Sequence, residues 1–139
     1  GGSPQATFAV DRDAAIRSMD AAKAVGVERY VMVSYLNSRP DHGVAEGDPF
    51  FAYAEAKAAA DEHLRASGLA YTILGPGLLT SGAVAGLIDV VEGGDDTENA
   101  VDRAHVAAVV ASSLVQPRTI GRTIGFRGGR TPIAQALRG

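Results

Sequence analysis

The sequence has no cysteine, no tryptophan and only three histidines. Without cysteine there can be no disulfide, no thiolate nucleophile and no thiolate-ligated zinc, so any redox chemistry needs a bound cofactor. That absence suits a cytoplasmic protein. His42, His63 and His105 share no ligand spacing with carboxylates, so no metal site is expected. His42 falls in a loop of mobile character, and His63 is expected to face solvent. No apolar run approaches the ~20 residues of a membrane span, and the opening Gly1-Gly2-Ser3-Pro4 lacks a basic flank followed by a hydrophobic core. Neither membrane insertion nor secretion is expected. Basic residues are not in excess: 13 Lys and Arg, scattered along the chain, face 16 Asp and Glu. No basic stripe exists for a phosphate backbone, so nucleic acid is not an expected partner.

What remains is an ordinary core-forming composition. The 139 residues are 46% hydrophobic and 21% charged, which fits one globular domain over residues 1–139. Apolar or small residues at Val10, Ala14, Ile16, Met19, Ala22 and Ala24 predict an amphipathic helix over 9–25, ended by Gly26. The run Tyr30-Val31-Met32-Val33 then predicts a strand covered on both faces. Residues 35–50, with two prolines and two glycines, predict a loop of the length that often carries function. A second helix is predicted from Phe51 to Ser67, and a second buried strand at Tyr71-Thr72-Ile73-Leu74, ending at Gly75-Pro76-Gly77. Glycines in 82–101 argue against a long helix there and leave a short strand at Leu87 to Val91. Asp102 is read as the N-cap of a helix through Leu114, Thr123 to Phe126 as a strand, and Pro132 as the start of a short terminal helix.

Helices alternating with short apolar strands predict an α/β fold, a portion of a Rossmann-type doubly wound sheet with parallel pairing and right-handed crossovers. Ligands of such sheets bind beyond the carboxyl ends of the strands, which singles out the loops after Val33 and Leu74.

The chemistry-bearing pair is Tyr53 and Lys57, at i and i+4 on the second helix and so on one face, about one turn apart. An ammonium beside a phenol favours phenolate, so the pair predicts a tyrosine shifted from its ordinary ~10 toward neutrality, able to act as general acid or base. Lys57 also has donors for a ribose hydroxyl. The same spacing arises when an aromatic faces the core beside a solvated lysine. Ser34 either closes its strand or meets a ligand.

Context sharpens the pair. The stretches Ala21-Ala22-Lys23, Gly26 through Ser34, Tyr53-Ala54-Glu55-Ala56-Lys57, Ala60-Asp61-Glu62, Ser67-Gly68-Leu69 and Tyr71 through Gly77 resemble the short-chain dehydrogenase/reductase superfamily, in particular its atypical NmrA-like NAD(P)-binding branch. Val101 through Ala107 and Thr119 through Thr123 extend the resemblance over nearly the whole chain. It implies a catalytic set of Ser34, Tyr53 and Lys57: Ser34 polarises a small-molecule substrate, Tyr53 transfers a proton and Lys57 binds the nicotinamide ribose. It also implies that Pro76-Gly77-Leu78 lies against the nicotinamide and that the cofactor is NADP or NAD, with NADP favoured. These residues are expected to converge at a pocket mouth beside Ser34 and Pro76, shaped by 35–50 and 81–101.

The chain departs from the branch at several positions. Asp11 stands where many members carry an asparagine, Leu36 where extended members carry the catalytic serine, Gly75 where an arginine is usual, and His105 where an acid is usual. His105, at a helix start, is assigned to surface or local packing. The Gly-rich turn that holds pyrophosphate in the family is expected ahead of residue 1, roughly 70 to 90 residues at about 30 per βαβ unit. Gly75-Pro76-Gly77-Leu78-Leu79-Thr80 mimics that turn, but Thr80 stands at its third glycine, so it is read as the nicotinamide-side turn. The resemblance implies an NAD(P)-dependent oxidoreductase or epimerase-like enzyme. The alternatives are a non-enzymatic NAD(P)-binding redox-sensing module and a structural remnant. An N-terminal partner fragment or a second copy is expected to cover the exposed strand Tyr30 to Val33.

Overall fold

The computed structural model describes residues 2–82 and 86–139; residues 83–85, within the stretch expected to shape the pocket, lie outside the described residues. The described chain forms two compact units. One takes in the residues up to Tyr30 together with Ser38–Leu69, and the other Val31–Asn37 with Ala70–Gly139.

The first unit is helical. It opens with α1 (Pro4–Thr7), continues without a break through a π-helical segment, Phe8–Ala14, and then α2 (Ala15–Ala24), and closes with α3 (Phe51–Ala66). The start is earlier than the periodicity predicts. Ser3 caps it, its hydroxyl accepting from the Ala6 N–H, and Pro4 sits in the first turn, where its missing N–H costs nothing. Both long helices stop at glycines with positive φ, Gly26 at 73° and Gly68 at 79°, as the sequence predicts. α3 packs against the π-helical segment, and Met19 and Leu64 are fully buried. The loop before α3 is pinned, contrary to the mobile character expected around His42. The Val44 N–H donates to His42 Nδ1 at 3.0 Å, and His42 Nε2 lies 2.8 Å from Glu55 Oε1. His63 faces solvent as expected, its Nε2 meeting Asp20 Oδ1 at 2.7 Å in an exposed contact.

The second unit is built on a five-stranded sheet. Its members are β1 (Tyr30–Val33), β2 (Tyr71–Pro76), β4 (Leu87–Val90), β6 (Arg122–Gly128) and β7 (Thr131–Pro132), in the order β1-β2-β6-β4-β7. β3 (Leu79–Thr80) and β5 (Val101–Asp102) form a small parallel pair beside it. Beyond β1, the Ser34 N–H donates to Leu74 O and the Leu36 N–H to Pro76 O, a step of two on each strand that continues a parallel ladder. β2 and β6 are parallel from Thr72↔Arg122 to Pro76↔Phe126. The predicted parallel sheet is thus present, with an antiparallel margin: β4 runs antiparallel to both β6 and β7. β6 and β7, joined through Gly129 and Arg130, therefore run in the same direction on either side of β4.

The core of this unit joins Leu74, Ile88, Val101, Ile124 and Phe126 of the strands to Val109 of α4 (Arg103–Leu114) and to Ile133 and Leu137 around α5 (Ile133–Ala136). Thr72, fully buried, donates its hydroxyl to Thr119 O at 2.7 Å. Asp102 occupies the predicted N-cap position of α4, yet its side chain makes no cap bond. Its carboxylate accepts from Thr80 Oγ1 at 2.5 Å instead, tying β3 to β5. His105 is buried in the first turns of α4, the packing rather than the surface alternative of its assignment.

Candidate functional site

The sequence-derived site residues divide between the two units. Tyr53 and Lys57 belong to the first; Ser34, Pro76, Gly77 and Leu78 belong to the second.

In the first unit α3 carries the pair one turn apart. Lys57 is buried, 7% exposed, although most residues around it on the helix are alanines. The solvated-lysine alternative is thereby excluded. Tyr53 is half-buried, with its ring against Phe50 at a centroid distance of 5.2 Å. Loss of water holds the Tyr53 phenol above the ordinary tyrosine value, and the negative charges of Asp11 and then Asp61 raise it further. Burial pushes the Lys57 ammonium down, while the same carboxylates, Asp61 before Asp11, draw it back up. The expectation that Lys57 brings Tyr53 toward neutrality is therefore reversed. The spacing shows the lysine, but the two carboxylates that dominate the field lie on other turns.

Asp11 reaches this field from the π-helical segment, which is continuous with α1 and α2. Such segments re-aim side chains and concentrate at functional sites. Three contributors escaped the sequence reading: Asp61, 1% exposed; Ser38, which donates to Asp61 Oδ2 at 2.7 Å; and Phe50. For Asp61 a signal existed, since it continues the four-residue register of Tyr53 and Lys57.

In the second unit Ser34 is buried at the end of β1, where its N–H completes the ladder to Leu74 O. Pro76 and Gly77 are buried and Leu78 is 48% exposed. The demand for glycine at 77 comes from the protein itself, because a Cβ there would stand 1.8 Å from Asn99 O. The turn at 95–99 closes over this point. The Gly77 N–H donates to Phe126 O, the Leu78 N–H to Asp96 O and the Val101 N–H to Leu78 O. Asn37 fastens the same turn, its amide donating to Gly94 O and to Asp96 Oδ1, each at 2.9 Å.

These donors suit one part of a dinucleotide. A buried ammonium and a phenolic hydroxyl on one helix face match the vicinal hydroxyls of a ribose. A pyrophosphate cradle is different: it needs a Gly-rich turn opening a helix, and here Gly75-Pro76-Gly77 leads into β3. The described residues fit the nicotinamide riboside half of the cofactor and supply no cradle for its pyrophosphate.

Comparison with known proteins identifies the family. The profile of a family described as NAD(P)H-binding matches residues 1–117. The uncharacterized sugar epimerase YhfK of Bacillus subtilis is 36% identical over 133 residues, 95% of this chain and 60% of that protein. A Bacillus halodurans structure provisionally assigned as an NAD-dependent epimerase/dehydratase superposes with a TM-score of 0.89 at 30% identity, covering 98% of this chain and 63% of that one. The oxidoreductase YlbE of Lactococcus lactis gives a TM-score of 0.85 at 29% identity, over 99% and 63% of the two chains. The chain thus spans about three fifths of the proteins it matches. With the fold, the Tyr53 and Lys57 register and this match in agreement, the chain belongs to the NAD(P)H-binding family on a Rossmann-type, short-chain dehydrogenase/reductase scaffold, and the cofactor class of that family is NAD(P)H.

Proposed function

We propose that the protein is an NAD(P)H-dependent oxidoreductase of short-chain dehydrogenase/reductase type, acting in the cytoplasm on a small carbonyl-bearing molecule, with NADPH as the preferred donor. The observation that carries this reading is the buried Lys57 one turn from Tyr53 on α3, in the field of two carboxylates. Burying an ammonium is unfavourable, and a packing role would be served by the alanines around it.

In this reading Lys57 Nζ donates to the nicotinamide ribose and Tyr53 Oη gives a proton to the substrate oxygen. The family resemblance gives Ser34 the role of polarising substrate and Pro76, Gly77 and Leu78 that of facing the nicotinamide. The cofactor, when bound, supplies hydride. The raised Tyr53 phenol is protonated at neutral pH, the form a general acid needs. Epimerase-like chemistry, which the Bacillus subtilis relative's name suggests, also needs a tyrosine that accepts a proton, and that is harder here.

Turnover tests the reading. Tyr53→Phe in the intact protein is expected to reduce NADPH-dependent reduction of small aldehydes, ketones or quinones by about 10²-fold or more, the usual scale for a lost general acid. NADPH binding with no turnover on any acceptor would leave the sensing module in its place.

A further inference from the structure

The buried charge that the proposed chemistry leaves unused is Asp61. It is 1% exposed, midway along α3, among Ala58, Ala60 and Leu64. A carboxylate there has lost its water, which is unfavourable unless other groups replace it. One replacement is Ser38, whose hydroxyl donates to Asp61 Oδ2 at 2.7 Å. The other is positional. Asp61 follows Lys57 by four residues as Lys57 follows Tyr53, and side chains so spaced lie about 5–6 Å apart at Cβ on one face. The field of Asp61 acts on both, raising the Lys57 ammonium and the Tyr53 phenol.

We propose that Asp61 is a positioning residue for Lys57: held by Ser38 from the loop that precedes α3, its carboxylate fixes where the ammonium points. The inference rests on the reading that Lys57 contacts the cofactor ribose, but the coupling of Asp61 to Lys57 is observable with no cofactor bound. Around Lys57 the charged and titratable groups are Asp11 from the π-helical segment and Tyr53 and Asp61 from α3. Asp11 retains part of the field when Asp61 is replaced.

Side-chain NMR titration of Lys57 in the intact protein, without cofactor, tests the coupling. Asp61→Asn is expected to lower the Lys57 pKa and the Tyr53 pKa together, because each loses a negative neighbour. Asp61→Glu keeps Lys57 near its wild-type value. A merely loosened structure acts on the lysine with the opposite sign, since returning water lets the ammonium climb to its ordinary value. A rise or no change in folded Asp61→Asn therefore overturns the proposal. Should that variant not fold, the wild type serves: Lys57 signals must move in step with titration of the Asp61 carboxyl, and their indifference to it overturns the proposal. Calorimetry with NADP completes the test. Asp61→Asn is expected to weaken NADP several-fold and Ser38→Ala by less; unchanged affinity in Asp61→Asn, where Lys57→Ala does weaken it, removes the positioning role. If Lys57→Ala leaves NADP affinity unchanged while the pKa coupling is present, the ribose reading fails and the coupling stands.

Discussion

Replacing Gly77 by alanine is expected to unseat the turn that closes over the end of β2. The new Cβ would lie 1.8 Å from Asn99 O and 2.6 Å from its carbonyl carbon, where ordinary contact begins at 3.4 Å. Both atoms are backbone, so no rotamer change relieves the clash and the turn at 95–99 must withdraw. Withdrawal strains the Leu78 N–H bond to Asp96 O and the Asn99 N–H bond to Asp95 O, both 3.2 Å, and the Asn99 amide bond to Asp95 O at 2.8 Å. Overpacking of this kind costs about 1–3 kcal/mol, and each lost hydrogen bond about 0.5–1.5 kcal/mol. With all three bonds lost they give a destabilisation of about 2.5–7.5 kcal/mol, or a fall in melting temperature of roughly 10 °C or more for a chain of this size. Differential scanning calorimetry of the variant against wild type measures it. Hydrogen exchange should show the Leu78 and Asn99 amides losing protection first. A melting temperature within about 2 °C of wild type would refute the steric argument for glycine at 77.

Two further outcomes follow from the electrostatics and the sheet. A carboxylate near a phenol disfavours phenolate, so Asp11 lifts the Tyr53 pKa, and Asp11→Asn is expected to move the alkaline limb of the reduction rate to lower pH; an unmoved limb would remove Asp11 from the site. β1 ends the order of the described sheet with Val33 39% exposed, and an apolar edge invites pairing, so the chain is expected to self-associate in light scattering; a stable monomer would contradict that expectation.

Much of the fold is legible in local pattern: α3 ends at Gly68, β2 and β6 are strand-forming runs, and Asp102 marks the start of α4. The early helix start is legible too, in Ser3-Pro4, ahead of the point where the apolar stripe begins. The π-helical segment carries no comparable mark: Phe8–Ala14 reads as ordinary helix, and its widened turn is settled by packing against α3. Short pairs such as β3 with β5 hold only two residues per strand, too few for alternation to register. The antiparallel margin, β4 against β6 and β7, has no mark in the alternation of helices and strands. In the candidate site, residue identity at Tyr53 and Lys57 was readable from spacing, but the sign of the Tyr53 shift was not. It depends on burial and on Asp11, 42 positions earlier in the chain, which only folding brings to bear. Gly77 shows the converse. Its glycine has a purely internal cause, the approach of Asn99, which no motif announces.

The central claim is that Lys57 on α3 belongs to an NAD(P)H site, and the most direct measurement is isothermal titration of NADP and NADPH into the intact protein and its Lys57→Ala variant. Loss of a charge-assisted hydrogen bond worth about 1.5–3 kcal/mol predicts affinity roughly 10- to 100-fold weaker in the variant, with its fold unchanged by circular dichroism. Equal affinity in the two proteins would contradict the account.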